Sequence, residues 1–298
     1  MDRTRYSGPV RQAQVFPHGL VQAGFAADER LAEVLDRSPA ALIDINLYDY
    51  DDDGGHTLRT GARGALSGAE LLKAIQQGRL WVNLRDVQDG WPELWAAAMA
   101  EFGRIQAALP GLKAVRNAGQ LILSSPKSGA PYHFDNAGVV LFHMRGRKRV
   151  FVYPGDEDHL PEASMEQVIA RQTTEEIPWR PDFENDATVI DLEPGQALTW
   201  PIYAPHRVRN LDQFCVSLSM DYQTWDSRWR NGALFTNAVL RQRGARPRPT
   251  DRMGRPELAA RWAASLALKK AGVMKSRIHD LERDFEPDAA AADGARAI

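Results

Sequence analysis

Three side chains define what chemistry this sequence could do. His133 and Asp135 stand two apart in APYHFDNAGVVLFHM, a stretch that reads as β-strand, and His206 stands in WPIYAPHRV some seventy residues later. Side chains at i and i+2 leave a strand on one face, so an imidazole and a carboxylate can point at one atom, with His206 as third donor. Two imidazoles and a carboxylate on one side of a metal, the other side open, form the donor set of non-haem iron oxygenases. The residues alone leave the alternative open. A bare H-x-D recurs by chance, and a histidine is more often a hydrogen-bonded core group than a ligand.

The elements that must position these residues follow from periodicity. Helices are expected over 28–37, 67–77 and 91–109, where apolar residues recur at helical spacing. Ser67 and Glu70 form a capping box. Strands are expected over 41–48 and 79–87. From Gly119 to about Gln223 the period is that of strands, punctuated by turn chemistry such as Glu193-Pro194-Gly195-Gln196. Arg145-Gly146 is read as the loop of a tight hairpin. Many short strands suggest a jelly roll or small barrel. The expected fold is therefore mainly β with α, a jelly roll or small barrel, of which cupins are one form, with flanking N-terminal and C-terminal helices. The expected division is an α+β support over 1–118, the β-helix core over 119–223, helices over 224–286 and a disordered tail over 287–298. Within it, 155–187 is a charged insertion with a short helix capped by Ser164 and Gln167, and 274–283 is a second helical run after the one opening at Pro256.

Composition narrows the functional classes. With 37 basic and 39 acidic side chains the formal charge is −2, which gives no support to general nucleic-acid binding; the basic stretch 241–248, RQRGARPR, reads as a solvated linker. Cys215 is the single cysteine, so neither a disulfide framework nor a thiolate metal cluster forms within the chain. No apolar run is long enough for a membrane span and no signal peptide is apparent, so a cytoplasmic protein is expected. The acidic loop Asp49, Asp51, Asp53, Gly54 opens like a calcium loop. Its position 12 falls on Thr60, which cannot supply the bidentate acid, and it reads as a solvated turn.

The segment HFDNAGVVLFHMRGRKRVFVYP resembles the JmjC-type, cupin-like Fe(II)- and 2-oxoglutarate-dependent oxygenases, and most of all the subgroup of the asparaginyl hydroxylase called factor inhibiting HIF. The shared pattern is a histidine and an aspartate two apart, a basic-Gly-x-Lys turn (Arg145-Gly146-Arg147-Lys148) and an apolar strand ending in proline. Pro201-Ile202-Tyr203-Ala204-Pro205-His206 matches the approach to the distal histidine; Pro194-Gly195-Gln196 departs from the family's Pro-Gly-Asp. The resemblance spans roughly 119–223. It implies a double-stranded β-helix, Fe(II) on His133, Asp135 and His206, and 2-oxoglutarate paired with Lys148 and bordered by Ser219; the register of the expected Arg145-Gly146 hairpin sets Lys148 opposite His143 with Leu141 on the same face. It further implies O2 as oxidant, with succinate released and a substrate C–H bond oxidised. Ala130 stands where relatives carry a threonine near the cosubstrate. Tyr203, Trp200 and Asn136 are candidates for the substrate pocket, the substrate being a peptide or protein side chain or a small molecule. In some relatives the C-terminal helices make a dimer, so a homodimer through them is expected. Two other readings remain: a metal cupin without 2-oxoglutarate (an isomerase or dioxygenase), against which Asp135 and Lys148 argue, and a non-catalytic binding module that kept the fold.

Overall fold

The computed structural model describes residues 6, 8–50, 56–277 and 282–298. The acidic loop that opens like a calcium site falls largely on 51–55, outside the described residues. In chain order the elements are β1 (Gln14–Pro17), α1 (Asp28–Arg37), β2 (Ile43–Tyr50), β3 (His56–Gly61), α2 (Gly68–Gln77), β4 (Leu80–Leu84), α3 (Val87–Gly90), α4 (Pro92–Ala108), β5 (Arg116–Ser124), β6 (Gly129–His133), β7 (Gly138–Arg145), β8 (Lys148–Val152), α5 (Glu162–Ile169), β9 (Thr188–Leu192), β10 (Gln196–Thr199), β11 (His206–Asn210), β12 (Cys215–Gln223), α6 (Trp225–Gln242), α7 (Arg255–Lys270), β13 (Arg283–Pro287) and β14 (Ala295–Ala297). The result is a mixed α/β architecture built on two sheets. Ten strands in the order β1-β10-β7-β12-β5-β4-β2-β3-β13-β14 form one, antiparallel except where β13 meets β3; four strands, β6-β11-β8-β9, form the other.

Alternation along the strands decides which residues face which layer. On β7, Val140, Phe142 and Met144 join a core shared with Leu31, Leu35, Leu71, Leu94 and Phe102 from α1, α2 and α4. Val139 and Leu141 point the other way, into a second core completed by Val150, Val152, Leu192 and Val208 of the smaller sheet. The two sheets therefore face one another across an apolar interior, and β7 is buried on both sides. On β12, Leu218 and Met220 belong to the helix-side core, which turns Ser217, Ser219 and Asp221 toward the inter-sheet space. The capping box opens α2 as expected, Ser67 Oγ accepting from Glu70 N at 3.2 Å and Glu70 Oε2 accepting from Ser67 N at 2.8 Å. At the 193–196 turn, Gln196 N donates to Glu193 O at 3.2 Å and Gly195 has φ +91°.

Four expectations need correction. β7 and β8 are not a hairpin: β7 pairs with β10 and β12, whereas β8 pairs with β11 and β9 in the facing sheet. Gly146, at φ +81°, carries the chain across. A Cβ there would lie 2.4 Å from the Phe214 carbonyl oxygen and 2.7 Å from Cys215 Sγ, so the turn is pressed onto the neighbouring strand and only glycine fits. The insertion helix is α5, starting at Glu162 after Pro161 with no side-chain cap; the Ser164–Gln167 box does not form because Ser164 is already inside the helix. Residues 274–277 are not helical. The end of the segment expected to be helical, 283–286, instead enters β13, and the 287–298 stretch read as disordered supplies β14, the pair anchored by fully buried Phe285, whose ring occupies the space a side chain on Gly61 would fill. One aromatic in an Asp- and Ala-rich tail is enough to dock it, since burying a phenylalanine contributes about 1.5–3 kcal/mol. The N-terminal strands β2–β4 likewise continue the sheet that carries β5, β7 and β12, so the 1–118 support and the strand region share one sheet.

Candidate metal centre

His133 closes β6 and His206 opens β11, and the two are cross-strand partners. Their rings lie 4.2 Å apart between centroids. Asp135 lies two residues beyond the end of β6 rather than inside it, and its Oδ2 sits 3.3 Å from His206 Nε2. One donor atom from each of the three falls within 4.8 Å of the others. A metal–donor distance near 2.1 Å holds neighbouring donors about 3 Å apart, which the Asp135–His206 pair already meets.

Hydrogen bonds fix how the imidazoles present themselves. His133 Nδ1 is 2.7 Å from the Pro131 carbonyl oxygen and His206 Nδ1 is 3.1 Å from that of Ala204. A carbonyl only accepts, so both Nδ1 atoms carry the proton and both Nε2 lone pairs are left for a cation. Burial, then the neighbouring His133, pushes His206 down to about 4, which keeps it neutral at physiological pH. Trp200 packs its ring 4.6 Å from that of His206 and closes the interior side.

Two carboxylates that the motif reading missed complete the surroundings. Asp221 on β12 is raised well above the ordinary carboxylate range by burial, then by the charges of Asp135 and Glu175. Glu175 is raised by burial and then by Asp135, with His133 and Arg171 opposing. Asp221 and Glu175 lie within electrostatic reach of Asp135, a like-charge cost that a divalent cation relieves. Asp221 was legible as an acid on the inward face of an alternating strand. Glu175 carried no signal: it comes from the insertion, where residues 175–177 run beside β6, Phe134 N donating to Glu175 O and Ile177 N to Tyr132 O.

Along the same interior, Lys148 faces Asn210, its partner on β11, four residues from His206. That is about 13 Å of strand at ~3.3 Å per residue. Lys148 is 1% exposed, and among the described residues its Nζ has no hydrogen-bond partner; the Trp81 ring lies 5.3 Å away. Burial lowers it from 10.5 to about 8. Asn210 donates from Nδ2 to Ser124 Oγ and to Ser125 O, both at 2.8 Å, and leaves its buried Oδ1 unpartnered. A buried ammonium without a partner is costly unless an anion meets it.

The other candidates fall in three places. Leu141 and Ser219 are buried and face the inter-sheet space. His143 shares that face, but its ring is engaged at both nitrogens: Nε2 donates to Gly146 O and Nδ1 accepts from Ser217 Oγ, each at 2.9 Å. Burial and then the Lys148 charge push it down to about 3; it is a neutral brace for the 146 turn. Tyr203 is buried with its hydroxyl directed at α6, and Asn136 is exposed beside Asp135. Among the described residues no helix is long and apolar enough to cross a membrane.

No family model matches the chain, and no curated protein matches it in sequence. Solved structures do. The X-ray structure of E. coli YcfD is similar at 18% identity, covering 93% of this chain and 71% of that one, with a TM-score of 0.48. YcfD described as a ribosomal oxygenase in complex with cobalt and 2-oxoglutarate is similar at 16% identity, covering 95% and 69%, TM-score 0.44. The DMSP lyase DddQ from Ruegeria pomeroyi is similar over 37% of this chain and 40% of that one, at 15% identity and TM-score 0.24. Superposition at this level is a partial likeness of shape, and the function proposed below stands on the chain's own residues.

Proposed function

We propose that this protein is a non-haem iron oxygenase that consumes 2-oxoglutarate. The observation that carries the reading is one interior with two ends. His133, Asp135 and His206 converge at one end with both Nε2 lone pairs free, and an ammonium without a partner lies buried about four strand residues away. A metal site alone does not call for the ammonium, and an apolar core does not call for either. On this reading the facing sheets are a double-stranded β-helix, and the site resembles that of the factor-inhibiting-HIF subgroup.

The donor set fits Fe(II): two neutral imidazoles and one carboxylate leave part of the coordination sphere open. Bound there, the iron and 2-oxoglutarate supply a two-electron oxidation of a substrate C–H bond by O2, the diacid leaving as succinate and carbon dioxide. The chain's own residues hold and orient. Asp135 offsets the metal's charge, Lys148 receives the distal carboxylate, and Trp200 keeps water from the interior side of His206. The substrate is a peptide or protein side chain, or a small molecule, entering beside Asn136 and the 175–177 segment.

The test is Fe(II)-dependent release of succinate from 2-oxoglutarate, screened over peptide and metabolite pools, with anaerobic metal analysis. Asp135→Ala should abolish coupled turnover. Undiminished succinate in that variant removes the triad from the account. Metal binding without any 2-oxoglutarate dependence would favour the cupin alternative.

A further inference from the structure

The three donors come from two separate pieces of chain, and one side chain outside the barrel touches both. Asn231 lies on α6. Its Nδ2 donates to the backbone carbonyl of Asn136 at 2.7 Å, next to Asp135, and its Oδ1 accepts from the Tyr203 hydroxyl at 2.9 Å, three residues before His206. The orientation of the amide is not free. A carbonyl takes only a donor, so Nδ2 must face Asn136 and Oδ1 must face Tyr203.

What Tyr203 does to the backbone makes the second contact consequential. It holds φ +65°, a left-handed conformation that a bulky residue keeps only where its surroundings impose it. The imposing groups are visible. The hydroxyl sits over the first turns of α6, between Asn231 Oδ1 and Ser227 O at 3.3 Å, and the ring meets Tyr6 edge-on at 5.2 Å. Next in the chain, Ala204 N donates to Pro201 O at 3.0 Å, and Ala204 O is the carbonyl that accepts from His206 Nδ1. The turn that Tyr203 completes thus sets the tautomer and ring direction of His206. α6 is itself fixed at that end by the reciprocal cap of Thr224 and Ser227.

We propose that Asn231 is the positioning residue of the metal centre, coupling the Asp135 loop to the His206 turn through α6. This rests on the metal-binding reading above. It gives α6 a function: β6 and β11 meet as neighbours, but their pairing ends at His133 and does not reach Asp135. The 2.7 Å bond from Asn231 holds the neighbouring Asn136. Outer-shell partners of this kind typically contribute 10- to 100-fold in metal affinity.

The experiment is Co(II) titration of the metal-free full chain, followed by visible absorption and calorimetry, with the thermal midpoint of each metal-free variant measured in parallel. Asn231→Ala should weaken Co(II) about 10- to 100-fold and alter the Co(II) absorption bands while moving the midpoint little. Asn231→Asp keeps the acceptor for Tyr203 and loses the donor to Asn136; Tyr203→Phe removes the other arm. Each should weaken Co(II), and the pair Asn231→Ala and Tyr203→Phe should be non-additive. If Asn231→Ala does not fold, the two single-arm variants decide. Wild-type affinity and spectra in the Asn231 variants, with binding lost in His206→Ala, overturn this role and leave the metal centre standing. A wild-type chain that binds no Co(II), or binds it equally after His206→Ala, overturns the metal centre and this role together.

Discussion

Lys148 should make the protein less stable, and replacing it with methionine should show this directly. The side chain is buried with no hydrogen-bond partner among the described residues, and its lowering from 10.5 to about 8 disfavours the charged form by about 3 kcal/mol at about 1.4 kcal/mol per pH unit. The sign follows from proton counts. Between pH 8 and 10.5 the unfolded lysine keeps a proton that the folded one has released, so stability rises with pH across that window; below pH 8 the full penalty applies. Methionine fills similar volume without the charge. Lys148→Met is therefore expected to raise the unfolding free energy at pH 7 by up to about 3 kcal/mol, and to flatten the rise between pH 8 and 10.5. The ligand dependence should run opposite. With metal present, 2-oxoglutarate at a hundred times its Kd stabilises the wild type by about 2.7 kcal/mol, and that gain should vanish in the variant. Urea melts of both proteins, at pH 7 and 9.5, with and without Co(II) and 2-oxoglutarate, read all four quantities. A variant less stable than wild type without ligand, or stabilised equally by 2-oxoglutarate, refutes the anion-site account.

Two further outcomes test the scaffold. Gly146→Ala places a Cβ at φ +81° and 2.4 Å from the Phe214 carbonyl oxygen, so denaturant unfolding should show a loss of at least about 2 kcal/mol; an unchanged midpoint would mean the sheet crossing is not constrained there. Phe285→Ala should cost about 3–5 kcal/mol if the C-terminal strands are part of the cooperative unit, and hydrogen exchange should then rise in β3 as well as β13. Fast exchange in β13 already present in the wild type would argue that the tail is not docked.

Elements set by local rules were legible in the sequence. α1 starts and ends at Asp28 and Arg37 as its apolar spacing and Ser38-Pro39 require, and Ser67 with Glu70 caps α2. His133 and His206 meet because β6 pairs with β11, whereas Asp135 reaches them from two residues past the end of β6, so the i, i+2 strand alternation read for His133 and Asp135 does not account for its place. What pairs with what across the fold was not legible. A Gly turn between two buried strands looks the same whether the strands become neighbours or part into facing sheets, so Arg145-Gly146 read as a hairpin. Phe285 docks by a contact with Gly61 more than two hundred residues away, and a composition rule sees only the charged tail around it. Glu175 and Asn231 share this cause. Each reaches the site from an element with its own local logic, and only the tertiary arrangement brings it there.

The arrangement of charge between the two facing sheets bears on how a diacid would enter. Asp135, Glu175 and Asp221 crowd one end, and the ammonium of Lys148 lies toward the other. A free dianion drawn in by Lys148 would carry its second carboxylate toward three acids. Burial and neighbouring like charge raise Asp221 and Glu175, so this end of the interior resists a further negative charge. A divalent cation held by His133, Asp135 and His206 offsets that resistance, so metal is expected to bind before the diacid. Hence the four-way stability measurement includes metal-free 2-oxoglutarate: a ligand effect that needs no metal would mean the two ends of the interior act independently, contrary to the single site argued from their shared face.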